Sequence, residues 1–306
     1  MDKVIAVIQT ALPVFLALGL GMLCRSRNFL SREGVDALKK VVINLTLPFV
    51  LLNAFATAEY SISALILPAL MFSICCLALG LGFLAVRIFK IKGKLTAFLA
   101  SGFEAGMLGY ALFALLFPGE GSAAFAIIDL GQVLFVFTLY KALLAGKGGL
   151  KGVVAEAAHA PTVWAILAGI AVGASGLYRA LEPVGVSGVL DAVAGFIAAP
   201  TSTVILLTIG YDLLPEEIQF SKTARLVGLR LGVSAAALLL AVLANRFLLG
   251  GMMHTGALVL MFTLPPPYVL PVFADVEEER TDISSALSVL TLVSLLLFMA
   301  MTVVYA

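Results

Sequence analysis

The sequence predicts an all-α polytopic membrane protein: ten transmembrane helices in two inverted five-helix repeats, with the fourth and ninth helices interrupted. Three observations carry this. Of 306 residues, 62% are hydrophobic and 12% charged, and the mean hydropathy is +1.12, so there is too little charge to coat a soluble domain of this size. Lysine and arginine alternate in density from one connection to the next. Two halves of the chain share their helix-breaking residues at nearly constant offset.

Apolar runs near the roughly 20 residues needed to cross a bilayer recur along the whole chain. They place the spans at 4–23, 38–58, 62–87, 95–117, 122–145, 159–178, 188–211, 223–249, 255–274 and 282–305. The first has only Lys3 before it and no evident small-residue cleavage site, so it is expected to stay as a span rather than to be removed as a signal. Residues 1–146 form the first five-helix repeat, 147–158 a cytoplasmic linker, and 159–306 the second repeat. Sixteen Lys and Arg fall in alternate connections, among them Arg25, Arg27, Arg87, Lys141, Lys222 and Arg230, against Lys3, Arg179 and Arg246 on the other side. The positive-inside rule makes the sixteen cytoplasmic and puts both termini outside a cell (plasma or inner) membrane. A net charge of +1 gives no sign of a nucleic-acid partner.

Residues 12–24, LPVFLALGLGMLC, and 160–176, APTVWAILAGIAVGASG, both open on a proline. Pro13 and Pro161 lie 148 apart, and Pro48 and Pro200 lie 152 apart. Five spans per half is odd, so the two copies must run in opposite senses through the membrane. At an offset of 162, SGFEAGMLG at 101–109 meets TLPPPYVLP at 263–271. Pro265, Pro266, Pro267 and Pro271 stop a regular helix in one copy, and Gly102, Gly106 and Gly109 loosen it in the other. Non-helical backbone at membrane depth is tolerated where it is buried in protein or lines a cavity, and paired broken helices point to a transport site.

NLTLPFVLLNAF at 44–55, SGFEAGMLGY at 101–110, QVLFVFTLYKALL at 132–144 and LPPPYVLPVF at 264–273 resemble the auxin efflux carrier family, within the wider group that includes bile acid–sodium symporters. The resemblance implies broken fourth and ninth helices that cross at the midplane, spans 1, 2, 6 and 7 as a scaffold, and elevator-like movement of the rest. It favours small organic anions, mono- or dicarboxylates or an auxin-like carboxylate, with a proton or sodium as possible co-substrate and a possible homodimer through the scaffold helices. Sodium-coupled symport and a channel are the alternatives; a channel would show no trans-stimulation. Where the family commonly carries asparagine, this chain has Glu104. A carboxylate at that depth must be protonated, paired or facing a wet cavity. It is either a coupling residue or a hydrogen-bonding substitute for the asparagine.

The candidate substrate site is therefore Glu104, Ala105, Gly106, Pro266, Pro267 and Tyr268, with Asn53 and Gln132 from neighbouring spans, and Glu104 and Asp129 as coupling residues. Asp129 and Gln132 share a helix face, though Asp129 lies close enough to the start of its span for solvation to be expected. Asn44 and Thr46 either face the site or bridge helices, and Ser284, Ser285, Ser288, Thr291 and Ser294 read as a packing stripe. The acidic run 275–282 reads as a solvated loop. With no lysine or arginine expected at mid-membrane, an anion would rest on the positive ends of half-helices. No cofactor or metal is expected: Cys24, Cys75 and Cys76 have no metal spacing, and a hydrolase built on Ser175 lacks a histidine at matching depth.

Overall fold

A computed structural model describes residues 2–58, 60, 66–118, 120, 122–145, 161–212, 220–268, 270 and 277–305. Regular structure among these is helical throughout. Helix α1 spans Asp2–Ser26. Ser31 then caps α2, Arg32–Val41, its hydroxyl accepting the Gly34 N–H at 3.1 Å. A π-helical turn, Val42–Thr46, leads into α3, Leu47–Ala56. Pro48 at the start of α3 supplies no amide to the carbonyl one turn back, and the widened turn lets the helix axis continue through that gap.

Helix α4 is Ile66–Ile88. The next segment is broken: a 3₁₀ stretch, Thr96–Ala100, then irregular backbone over 101–104, a π turn, Ala105–Gly109, and α5, Tyr110–Leu116. After it come α6, Ala123–Phe135, a π turn, Val136–Tyr140, and α7, Lys141–Ala145. The expected linker, 147–158, lies outside the described residues, as does His159. Helices α8, Pro161–Ala174, and α9, Leu177–Ala180, precede α10, Val186–Ala198, and α11, Thr201–Asp212, which meet at Ala199 and Pro200. Helix α12 is Phe220–Phe247, α13 is Thr255–Thr263, and α14 is Glu277–Tyr305, with non-helical backbone over 264–268.

Among the described residues, five helical stretches are long and apolar enough to cross a membrane: Ile66–Ile88, Ala123–Leu144, Val186–Tyr211, Ser221–Phe247 and Ser285–Tyr305. Leu12–Ser26 and Pro161–Ala174 are shorter apolar helices. The segments expected as spans at 38–58, 95–117 and 255–274 are instead interrupted. Leu16, Leu20, Phe83, Leu84, Trp164, Phe196, Leu239 and Leu296 all point outward and exposed, as suits a surface solvated by acyl chains.

Contacts sort the helices into two groups. Helix α1 packs along α11, and α3 packs along α8 and α10. Separately, α4 packs along α6, while α12 gathers α4, the 3₁₀ stretch, α13 and α14. The groups meet where α14 touches α1, α3 touches α6, and α11 touches the π turn at 105–109. Small residues permit the close seams: a Cβ at Gly169 of α8 would stand 2.8 Å from the Leu52 carbonyl of α3.

One expectation fails here. The acidic run is not a loop over its length, because α14 begins at Glu277. Glu279 accepts the backbone N–H groups of Lys94 (2.6 Å) and Leu95 (2.9 Å), and Asp282 pairs with Lys222. The carboxylates thus tie the start of α14 to the start of the first broken segment and to α12.

Candidate functional site

Three successive prolines leave three carbonyls and no amide of their own, so their partners must come from elsewhere. The Glu104 N–H donates to the Pro265 carbonyl at 2.9 Å. Tyr268, the first residue after the prolines with an amide, donates its N–H to Glu104 Oε2 at 2.6 Å. Each break therefore completes the other. Gly102 has φ +74°, a backbone conformation glycine adopts without a Cβ penalty, and a Cβ there would meet Pro267 Cγ at 2.8 Å. The Glu104 carbonyl accepts from Gly109 at 3.0 Å and starts the π turn that holds Ala105 and Gly106.

Behind the crossing lies a buried polar chain. Gln132 Oε1 accepts the Phe103 N–H at 3.4 Å, Gln132 Nε2 donates to Asp129 Oδ1 at 3.0 Å, and the Tyr110 hydroxyl donates to Asp129 Oδ2 at 3.1 Å. Asp129 is 1% exposed, so the expected solvation near the membrane surface is overturned. The reason is that α6 is packed against α4, α3 and α13.

Arg230 is the residue that sequence reasoning missed. Counted with the cytoplasmic connections, it lies instead inside α12, 1% exposed. Nη1 donates to the Leu99 carbonyl at 3.2 Å and Nη2 to the Leu264 carbonyl at 3.0 Å, one from each broken segment. Its guanidinium carbon stands 4.8 Å from the centroid of the Phe103 ring, which itself meets Phe262 edge-on at 4.9 Å. The signal was present, because residue 230 falls inside the 223–249 span read from hydropathy, about 10 Å past its start at 1.5 Å per residue. Lys141, also counted as a loop charge, is buried as well.

In front of the π turn is a cavity of about 260 Å³. Leu47 and Val50 of α3, Gly106, Tyr110 and Ser122, and Ala198, Thr201 and Ser202 around the Pro200 interruption all line it. The Thr201 hydroxyl is buried there without a hydrogen-bond partner, and so is the hydroxyl of Thr46, one residue before Leu47. The two groups of helices thus face each other across this space.

Other sequence candidates fall elsewhere. Asn53 is half-buried on α3, where its backbone carbonyl accepts from Thr57, and it does not line the cavity. The Asn44 side chain is exposed and donates to Lys40. The Tyr268 hydroxyl pairs with Thr291 Oγ1 at 2.8 Å, joining the crossing to α14. Thr291 and Ser294 bond back to the carbonyls of Leu287 and Leu290, as a packing stripe does. The Ser175 hydroxyl is exposed and bonds to Val172.

Comparison with known proteins agrees with this architecture. Residues 6–150 match the family described as membrane transport protein, the auxin efflux carrier-like group to which the motifs pointed. A protein of Methanothermobacter thermautotrophicus, named an uncharacterized transporter, is 28% identical over 299 residues, which cover 94% of each chain. The chain is accordingly a multi-pass membrane protein whose residues 6–150 are similar to the membrane transport protein family.

Proposed function

We propose that this chain is a secondary transporter of small organic anions, mono- or dicarboxylates or an auxin-like carboxylate, working by alternating access of the elevator type in the cell membrane. In this reading ten spans form two inverted halves, 1–146 and 159–306, joined by a cytoplasmic linker at 147–158, with both termini outside. The observation that carries the reading is the pair of chain breaks that complete each other's hydrogen bonds beside a cavity between two packing groups.

The helices α1, α3, α8, α10 and α11 would stay fixed, and α4 to α6 with α12 to α14 would carry the crossing past them. A cavity of about 260 Å³ falls below the roughly 300–1,000 Å³ of drug-sized ligand sites, which favours a small carboxylate. The Thr201 hydroxyl supplies an unused polar group for it. Glu104 would couple a proton: ionised, it repels an anion at about 4 Å by roughly 4 kcal/mol at an effective dielectric near 20, and protonation removes that cost.

A panel of carboxylates tested for thermal stabilisation of the purified protein, followed by counterflow in proteoliposomes with each hit, decides the matter. A stabilising anion whose uptake is accelerated from the opposite side is expected. Saturation-free uptake without trans-stimulation would point to a channel and reject the carrier.

A further inference from the structure

Arg230 sits where two chain ends expose acceptors. Leu99 lies in the last turn of the 3₁₀ stretch Thr96–Ala100, and Leu264 is the C-terminal cap of α13. The last carbonyls of a helix lack intrahelical partners and carry its partial negative charge, so two such ends converging in a buried place call for a cation. In carriers with broken helices this kind of carbonyl set binds a coupling sodium ion. Here the guanidinium takes both oxygens, at 3.2 and 3.0 Å, and rests its face toward Phe103. Among the described residues no carboxylate forms an ion pair with it. Its charge is therefore stabilised by carbonyl dipoles without a counter-charge, and a positive field remains at the crossing.

We propose that Arg230 is a tethered cation: it occupies the place between the two breaks that a free sodium ion would take, so the site is assembled without sodium. Two positive charges cannot share those carbonyls. The flat fork also reaches both breaks at once, which holds the crossing together in every state of the transport cycle. The proposal rests on the carrier reading above for its meaning in transport, but the arrangement of charge stands on the geometry alone.

The test varies the cation only. Unfolding of the purified full-length protein is followed in sodium chloride and in choline chloride at matched ionic strength. The expected result for the wild-type protein is one melting temperature in both salts at every concentration. Arg230→Ala should melt lower by about 5 °C or more and regain stability saturably with sodium or with millimolar guanidinium, while choline does nothing. Arg230→Lys, which keeps the charge without the fork, should remain indifferent to sodium. A saturable rise of the wild-type melting temperature with sodium and not with choline would overturn the proposal. So would a folded Arg230→Ala protein that responds to neither cation. If that variant fails to fold, the wild-type titration and Arg230→Lys still decide. Because no carboxylate is present and chloride is matched in both salts, failure of the carboxylate panel leaves this result readable, and the reverse holds too.

Discussion

Glu104 has two jobs open to it, and single atoms separate them. Its Oε2 accepts the Tyr268 N–H, an amide that the preceding prolines leave with no helical partner. Glu104→Gln keeps an acceptor there and should leave stability nearly unchanged. Glu104→Ala orphans the amide and should cost about 1–3 kcal/mol of stability, measured by denaturant or thermal unfolding. Transport reads the other job. If protonation of Glu104 admits the anion, wild-type uptake rises as external pH falls, and Glu104→Gln keeps uptake but ignores a proton gradient. An unchanged gradient response in Glu104→Gln would confine the residue to its structural bond. Asp129 poses the simpler case: removal leaves the Tyr110 hydroxyl and the Gln132 amide without their acceptor. Asp129→Ala should cost about 1–3 kcal/mol for each orphaned group, and Asp129→Asn, which keeps one oxygen, should cost less.

For the elements, the broken segments are the part that matters. Prolines 266 and 267 keep the chain from closing into a helix, while Gly102 lets the opposite strand of backbone pass against Pro267. Replacing Pro266 and Pro267 by alanine should let a continuous helix form, with normal expression and lost transport; full uptake in that variant would remove the crossing from the mechanism. Gly102→Ala should also lose transport, since its φ of +74° costs an L-residue about 1–2 kcal/mol before the contact with Pro267 is counted. The breakers were readable in the sequence because Gly and Pro act on their own backbone. The π turns at 42–46, 105–109 and 136–140 were not, since their register depends on what the neighbouring helices press against.

Across the whole molecule, orientation is the property most open to a direct check. A cysteine placed in 147–151 should be labelled only after the membrane is permeabilised. Labelling of intact cells from outside would invert the proposed topology. Burial of Arg230 and Lys141 takes two charges out of the loop count without erasing its asymmetry, because Arg25, Arg27, Arg87, Lys90, Lys92, Lys94 and Lys222 remain at the same ends of their helices. The two packing groups meet at the crossing, a division that no single helix could provide.

Composition and local chemistry by themselves determined the membrane as solvent, the helical class and the position of both breaks, because each is a property of one stretch of chain read against bilayer thickness or backbone sterics. The tertiary structure decided which groups meet. Asp129 looked solvated by its place in a span and is buried because three other segments cover it. Arg230 looked like a loop charge and is held by carbonyls 131 and 34 residues away in sequence. Glu104 finds the amide of Tyr268 164 residues on. Partners so distant leave no periodic trace in the residues between them, and only the folding of one half against the other brings them within hydrogen-bonding range.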